Sequence, residues 1–84
     1  MIASGNTILI TGGSSGIGLA LARNFLLLKN KVIITGRDRL KLEKIKNDFP
    51  EIITFSGDLT DKNTLDKLVL FIEQQHPDLN ILIN

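Results

Sequence analysis

Three glycines near the start of the chain have the spacing of a phosphate-binding loop. Gly12, Gly16 and Gly18 lie in the sequence TGGSSGIG, between a predicted strand and a predicted helix. Gly12 permits a tight turn, Gly16 removes a side chain where the backbone approaches a pyrophosphate, and Gly18 allows close helix packing. The helix N-terminus offers N–H groups and partial positive charge to phosphate oxygens. A flexible turn would have the same spacing, but the strand–loop–helix context favours phosphate binding.

A second candidate group lies at the end of the second predicted strand. NAD-binding proteins carry an acidic residue there, roughly 20 positions beyond the glycine loop, which binds the ribose 2′-hydroxyl. Here Gly36 leaves space, and Arg37 supplies a planar cation that matches a phosphate. The sequence therefore predicts that NADP(H) is preferred, with NAD(H) still possible. Alternatively, Arg37 and Arg39 begin a solvated basic helix, although basic residues oppose the dipole at a helix start.

The elements that must position these residues alternate between strands and helices. Four short segments rich in β-branched residues predict strands at residues 7–11, 31–35, 52–56 and 79–83. Apolar residues at helical spacing predict three helices between them: Ile17, Leu21, Phe25 and Leu28; Leu42, Ile45 and Phe49; and Leu65, Leu68, Val69 and Ile72. Asp38 is the predicted cap of the second helix, and Asp58 or Asp61 that of the third. The βαβαβαβ order predicts an α/β fold, with a parallel sheet and helices on both faces.

Three segments together resemble the short-chain dehydrogenase/reductase family. Residues 11–18 are similar to the family's TGxxxGIG cofactor motif, residues 57–61 to its acidic turn, and residues 81–84 to the approach to its Asn-Asn-Ala-Gly motif. The resemblance covers essentially the whole chain. It implies a Rossmann-type fold with strand order 3-2-1-4, as the truncated half of a doubly wound sheet. Residues 1–84 would then form the NADP(H)-binding N-terminal portion of such a protein.

The resemblance also implies which residues contact the cofactor. Asp58 and the Leu59 backbone would lie at the adenine, and the Ser15 hydroxyl would assist in NADP binding. Ile17 would lie near the nicotinamide half, or would be a core residue of the first helix. Asn84 would lie near the adenine ribose. The full set of expected cofactor-binding residues is Gly12, Ser14, Ser15, Gly16, Ile17, Gly18, Arg37, Asp58, Leu59 and Asn84.

Composition excludes several other functions. The 84 residues contain no cysteine, which excludes disulfides, Cys-based zinc sites and thiol nucleophiles. A single histidine, His76, cannot build a multi-histidine metal site, and we expect it to be an exposed loop residue without a function. The net charge of +1 gives no electrostatic argument for nucleic acid or membrane partners. Since neither a signal peptide nor an apolar stretch of about 20 residues is present, we expect a cytoplasmic protein.

The family's hydride chemistry relies on a serine and a Tyr-x-x-x-Lys pair, and this sequence contains no tyrosine. We therefore expect no catalytic residue here, and expect this chain alone to be inactive. It would be part of a longer oxidoreductase acting on a carbonyl or alcohol substrate. The alternative is a stand-alone, non-catalytic nucleotide-binding or regulatory module; an extended-type epimerase or reductase is less favoured, because those usually have a GxxGxxG spacing. A homo-oligomer, or self-association through the exposed last strand, is also expected.

Overall fold

The computed structural model describes residues 4–84, so the first three residues of the expected domain 1–84 lie outside the described part. Strands and helices alternate as predicted: β1 (Thr7–Ile10), α1 (Gly16–Leu27), β2 (Lys31–Gly36), α2 (Arg39–Asp48), β3 (Ile53–Ser56), α3 (Lys62–Gln75) and β4 (Ile81–Ile83). The largest difference is at β4, which begins two residues later than predicted. The preceding residues are occupied in a turn, where the Leu79 N–H donates to the carbonyl of His76 (3.1 Å).

All four strands are parallel and form one sheet in the order β3-β2-β1-β4, which confirms the predicted arrangement. The register pairs Ile10 with Ile34 and with Ile83, and pairs Gly36 with Ser56. The loops that leave the strand ends therefore start from one edge of the sheet. The glycine loop, Arg37 and Asp58 all come from this carboxyl edge.

Helices cover both faces of the sheet, as predicted. On one face, strand residues pack against α1 and α2 in a cluster formed by Ile8, Ile10, Ala22, Val32, Ile34, Leu42, Ile45 and Ile52. On the other face, Leu9 and Ile33 pack against Leu68 of α3. Because consecutive residues of β1 and β2 point to opposite faces and both faces are buried, these strands are continuous apolar runs.

The predicted inward face of α1 is correct at Leu21 and Phe25, which pack against the core, and wrong at its two ends. Ile17 is 81% exposed and Leu28 is 49% exposed, whereas Ala22 is fully buried. A Cβ on Gly18 would lie 2.9 Å from the carbonyl oxygen of Gly12, so α1 approaches the glycine loop very closely. Gly18 and Ala22 are four positions apart and share a helix face. This close approach turns the small residues inward and leaves Ile17 in solvent.

The predicted inward face of α3 is likewise correct only in part. Leu68 is buried and Ile72 packs against the core beside it, but Leu65 and Val69 are exposed by 43% and 48%. At the end of this helix, His76 was expected to be an exposed loop residue and is instead half-buried. Its ring packs edge-on against Phe71, with centroids 5.1 Å apart.

Asparagine side chains join the elements at the amino edge of the sheet, opposite the glycine loop. The N–H and the side-chain amide of Asn6 both donate to Oδ1 of Asn30 (3.0 Å each). Asn80 donates to Oδ1 of Asn6 (3.0 Å) and accepts from the Thr7 N–H (2.9 Å). These bonds connect the residues that precede β1, β2 and β4.

None of the helices within residues 4–84 is long and apolar enough to cross a bilayer.

Candidate functional site

A cleft of about 490 Å³ lies at the carboxyl edge of the sheet, where the loops after β1, β2 and β3 meet. Its lining residues are Gly12, Ser14, Ser15, Thr35, Gly36, Arg37, Gly57, Asp58, Leu59 and Thr60. The structure thus brings together Gly12, Ser14, Ser15, Arg37, Asp58 and Leu59 of the expected cofactor-binding residues. A hollow of about 520 Å³ lies elsewhere, lined by residues such as Leu26, Lys31 and Glu51, and contains none of them.

The glycine loop has the backbone that its sequence predicts. Gly12 and Gly16 have φ values of +70° and +59°, in the left-handed region that favours glycine. Apart from its chain neighbours and the nearby backbone of its own helix, no described atom lies within 4 Å of a Cβ built on Gly16, so this position faces open space. A Cβ on Gly18 would meet the Gly12 carbonyl oxygen and, at 3.0 Å, the Gly13 Cα. Gly16 therefore leaves a ligand free access to the backbone, and Gly18 brings α1 against the loop.

Two residues that position this loop were missed by the sequence analysis. Thr35 is 1% exposed; its Oγ1 accepts from the Gly12 N–H (3.3 Å) and its carbonyl from the Gly13 N–H (3.1 Å). Gly13 is buried, and a Cβ there would lie 2.7 Å from Cγ2 of Ile34. The signal that could have revealed Thr35 is a hydroxyl residue that ends an apolar strand.

The N-terminus of α1 differs from those of α2 and α3. The carboxylates of Asp38 and Asp61 accept from the backbone N–H groups of Lys41 and Thr64, as predicted for helix caps. Ser15 caps α1 in an extended conformation, and within residues 4–84 its side chain makes no capping bond. The first turn of α1 carries no acidic residue, as is also the case in α2 and α3. This helix start, which borders the cleft, has the N–H groups and the dipole that suit an anion.

Arg37 and Asp58 place opposite charges in the cleft. Oδ1 of Asp58 accepts from the hydroxyl (2.7 Å) and the backbone N–H (3.0 Å) of Thr60. These bonds, and then the charge of Arg37, hold the pKa of Asp58 below its ordinary value, so it is an anion at neutral pH. Arg39 lies outside the cleft and donates from Nε to Oε1 of Glu43 (3.3 Å). Arg37 and Arg39 therefore occupy different surroundings, which argues against one shared basic helix start.

The remaining expected residues lie around the cleft rather than in its wall. Ile17 projects into solvent from the first turn of α1, which rules out the core role considered for it. Leu59, already counted among the lining residues, also packs against the core on the α3 face of the sheet. Asn84 follows β4, and its Oδ1 accepts from the hydroxyl of Thr11 (2.8 Å), at the start of the glycine loop. In the described part of the chain, no group of three potential metal ligands is present.

Comparisons with known proteins agree with this fold. The short chain dehydrogenase family model matches residues 6–84. The chain is 44% identical over 79 residues to the uncharacterized oxidoreductase DltE of Bacillus subtilis, covering 94% of this chain and 31% of that protein. It is 30% identical over 78 residues to the NADP-dependent 3-hydroxy acid dehydrogenase YdfG of Salmonella typhi, and the match covers 92% of this chain and 32% of that protein.

A solved structure gives the same relationship. A short chain dehydrogenase of Bacillus anthracis matches with a TM-score of 0.84 and 33% identity, over 96% of this chain and 35% of that one. The chain thus spans about a third of the length of these relatives. It belongs to the short chain dehydrogenase family of oxidoreductases, which use a nicotinamide dinucleotide cofactor.

Proposed function

We propose that residues 1–84 form the NADP(H)-binding N-terminal portion of an oxidoreductase that transfers hydride between nicotinamide and a carbonyl or alcohol substrate. The nicotinamide, when bound, supplies or accepts the hydride. The role of this chain is to bind and orient the dinucleotide. Gly16 and the start of α1 would offer N–H groups and the helix dipole to the pyrophosphate, because that backbone is open, and Gly12 would make the tight turn that lets the pyrophosphate approach.

The other cofactor contacts follow from the two remaining loops of the cleft. Arg37, assisted by the hydroxyls of Ser14 and Ser15, would bind the 2′-phosphate. Asp58 and the Leu59 backbone would contact the adenine. The expected contacts of Ile17, Gly18 and Asn84, which lie beside the cleft, are part of the same proposal.

The observation that carries the NADP preference is the pairing of Gly36 with Arg37. The end of β2 has no carboxylate to accept a bond from a ribose 2′-hydroxyl, and a guanidinium lies next to it on the cleft wall. Arg39, the neighbouring cation, is bound to Glu43. The relative YdfG is named as NADP-dependent, which agrees with this preference.

Calorimetric titration with NADPH and with NADH tests the proposal. Arg37→Ala is expected to weaken NADPH binding by about 10- to 100-fold, the equivalent of one charge-assisted hydrogen bond, and to leave NADH binding nearly unchanged. Arg39→Ala is the matched control, because it removes an arginine two positions away that lies outside the cleft. It should bind both cofactors like the unmodified chain.

The contrary results are distinct from one another. Equal affinity for NADPH and NADH in the unmodified chain would reject the NADP preference and keep the phosphate-binding loop. No binding of either cofactor to a chain whose circular dichroism shows it to be folded would reject dinucleotide binding by these residues. A second candidate is a non-catalytic nucleotide-binding module, because the same cleft would bind a nucleotide in such a module. That candidate requires cofactor binding without any hydride transfer by the whole protein.

A further inference from the structure

Gly36 is required by its packing rather than by its backbone conformation. Unlike Gly12 and Gly16, Gly36 does not have a φ in the left-handed region. A Cβ built on Gly36 would lie 3.0 Å from Oγ and 3.2 Å from Cβ of Ser14, and 3.4 Å from Cδ2 of Leu42. The contact with Leu42 is close to ordinary van der Waals distance, whereas both contacts with Ser14 are tight, so Ser14 would have to move by a few tenths of an ångström. Ser14 therefore occupies the space that a side chain at position 36 would need.

Neither side of this contact can move away easily. The carbonyl of Gly36 accepts from the N–H of Gly57 (2.9 Å), which fixes the end of β2 to the chain beyond β3. The loop that carries Ser14 is fixed through Gly13, whose N–H donates to the carbonyl of Thr35 (3.1 Å) and whose Cα leaves no room for a side chain against the sheet. A side chain at position 36 therefore requires Ser14, and the loop that carries it, to shift by a few tenths of an ångström.

We propose that Ser14 and Gly36 are a matched pair that determines cofactor preference together with Arg37. The inference rests on the proposed function, because position 36 is where a NAD-binding protein carries its carboxylate. With Ser14 in place, a carboxylate at position 36 disturbs the phosphate-binding loop before it can bind a 2′-hydroxyl. Reducing Ser14 to glycine removes the obstacle. NAD preference thus needs two changes on two different loops.

A double-mutant cycle tests this coupling. The four proteins are the unmodified chain, Gly36→Asp, Ser14→Gly and the double variant, each titrated with NADH and with NADPH. Gly36→Asp alone should weaken binding of both cofactors by about tenfold or more, since overpacking displaces the loop. The double variant should bind NADH about tenfold more tightly than Gly36→Asp alone, while its NADPH binding stays weak. Equal NADH affinity of these two variants would overturn the proposal.

A second measurement, of thermal unfolding, needs no cofactor and still tests the pair if the aspartate variant fails to fold. Gly36→Ala adds only the Cβ, and should lower the midpoint of thermal unfolding by about 4–8 °C when Ser14 is present. In the Ser14→Gly background the same change should cause no decrease, because the space is then free. Equal decreases in both backgrounds would reject the matched pair. If the unmodified chain bound no cofactor, the proposed function would be rejected, but the thermal-unfolding comparison would still test the contact between Ser14 and position 36.

Discussion

Thr35 shows how one buried hydroxyl prepares the glycine loop for a ligand. Its Oγ1 accepts from the Gly12 N–H, so this donor is directed into the protein and is not directed at a phosphate. Its carbonyl accepts from the Gly13 N–H on the same side of the loop. Both bonds join atoms of the protein itself, so we expect them to hold the loop in one conformation. Such preorganisation lowers the conformational entropy cost of binding.

Replacing Thr35 with valine tests this role, because valine keeps the size and branching of the side chain and removes the acceptor. We expect the free energy of unfolding to fall by about 1 kcal/mol, and NADPH affinity to fall by about fivefold. Thr35→Ser is the matched control, since it keeps the hydroxyl and should bind NADPH more tightly than the valine variant. Urea denaturation and calorimetry measure the two effects. Equal cofactor affinity of the valine and serine variants would show that the hydroxyl does not position the loop.

At the scale of elements, local signals predicted the strands and the helix caps well. Ile8 and Leu9 point to opposite faces and are both buried, so β1 is identified by its continuous apolar run alone. Asp38 and Asp61 cap helices through bonds to residues three positions further on, which is also a local property. Parallel strands joined by helical crossovers then leave few possible sheet orders.

Contacts between elements were not predictable in this way. Counting large apolar residues assigned Ile17 to the inner face of α1, but the close approach at Gly18 turned Ala22 inward instead. The bond between Thr35 and Gly12 joins residues 23 positions apart on two different elements. Neither periodicity nor local spacing contains that information. The sequence therefore indicated which loops form the site, but not what holds them together.

The strand β4 leads to a prediction about association. Among the strands of residues 4–84, β4 has one neighbour, β1, and Leu82 at its centre is 58% exposed. An apolar edge strand favours pairing with another chain, so we expect the chain to self-associate with rising concentration. Leu82→Lys should weaken this association in sedimentation velocity. Leu27→Lys is the control, because Leu27 is 77% exposed at the end of α1. Equal effects of the two variants would argue against association through β4.

Over the whole molecule, the two edges of the sheet have different chemistry. The carboxyl edge carries the glycine loop and the opposed charges of the cleft. The amino edge carries an ion pair between Lys31 and Asp78 (3.5 Å), and Asp78 also accepts from the hydroxyl of Thr7 (2.8 Å). His76 lies near this group at the end of α3, and its buried Nδ1 has no hydrogen-bond partner among residues 4–84. A pH change can therefore affect stability at the edge opposite the cofactor.

We expect this edge to lose stability in two separate pH ranges. Burial, and then the charge of Lys31, hold the pKa of His76 below its ordinary value of 6.5. The unfolded chain therefore binds this proton more tightly, so the contribution of neutral His76 is fully present above pH 6.5 and decreases as the pH falls below it. The Thr7 bond, and then Lys31, lower the pKa of Asp78 below 3.8. Its contribution is present above pH 3.8 and is lost in stronger acid.

The free energy of unfolding in urea, measured from about pH 7.5 to about pH 5.5, separates the histidine from the carboxylates. It should fall across this range in the unmodified chain. In His76→Phe it should stay nearly constant, because the ring contact with Phe71 remains and the titrating group is gone. Thr7→Val should leave the slope in this range unchanged and reduce the loss below about pH 4, since it removes the bond that lowers the pKa of Asp78. A slope in His76→Phe as steep as in the unmodified chain would assign the effect to another group.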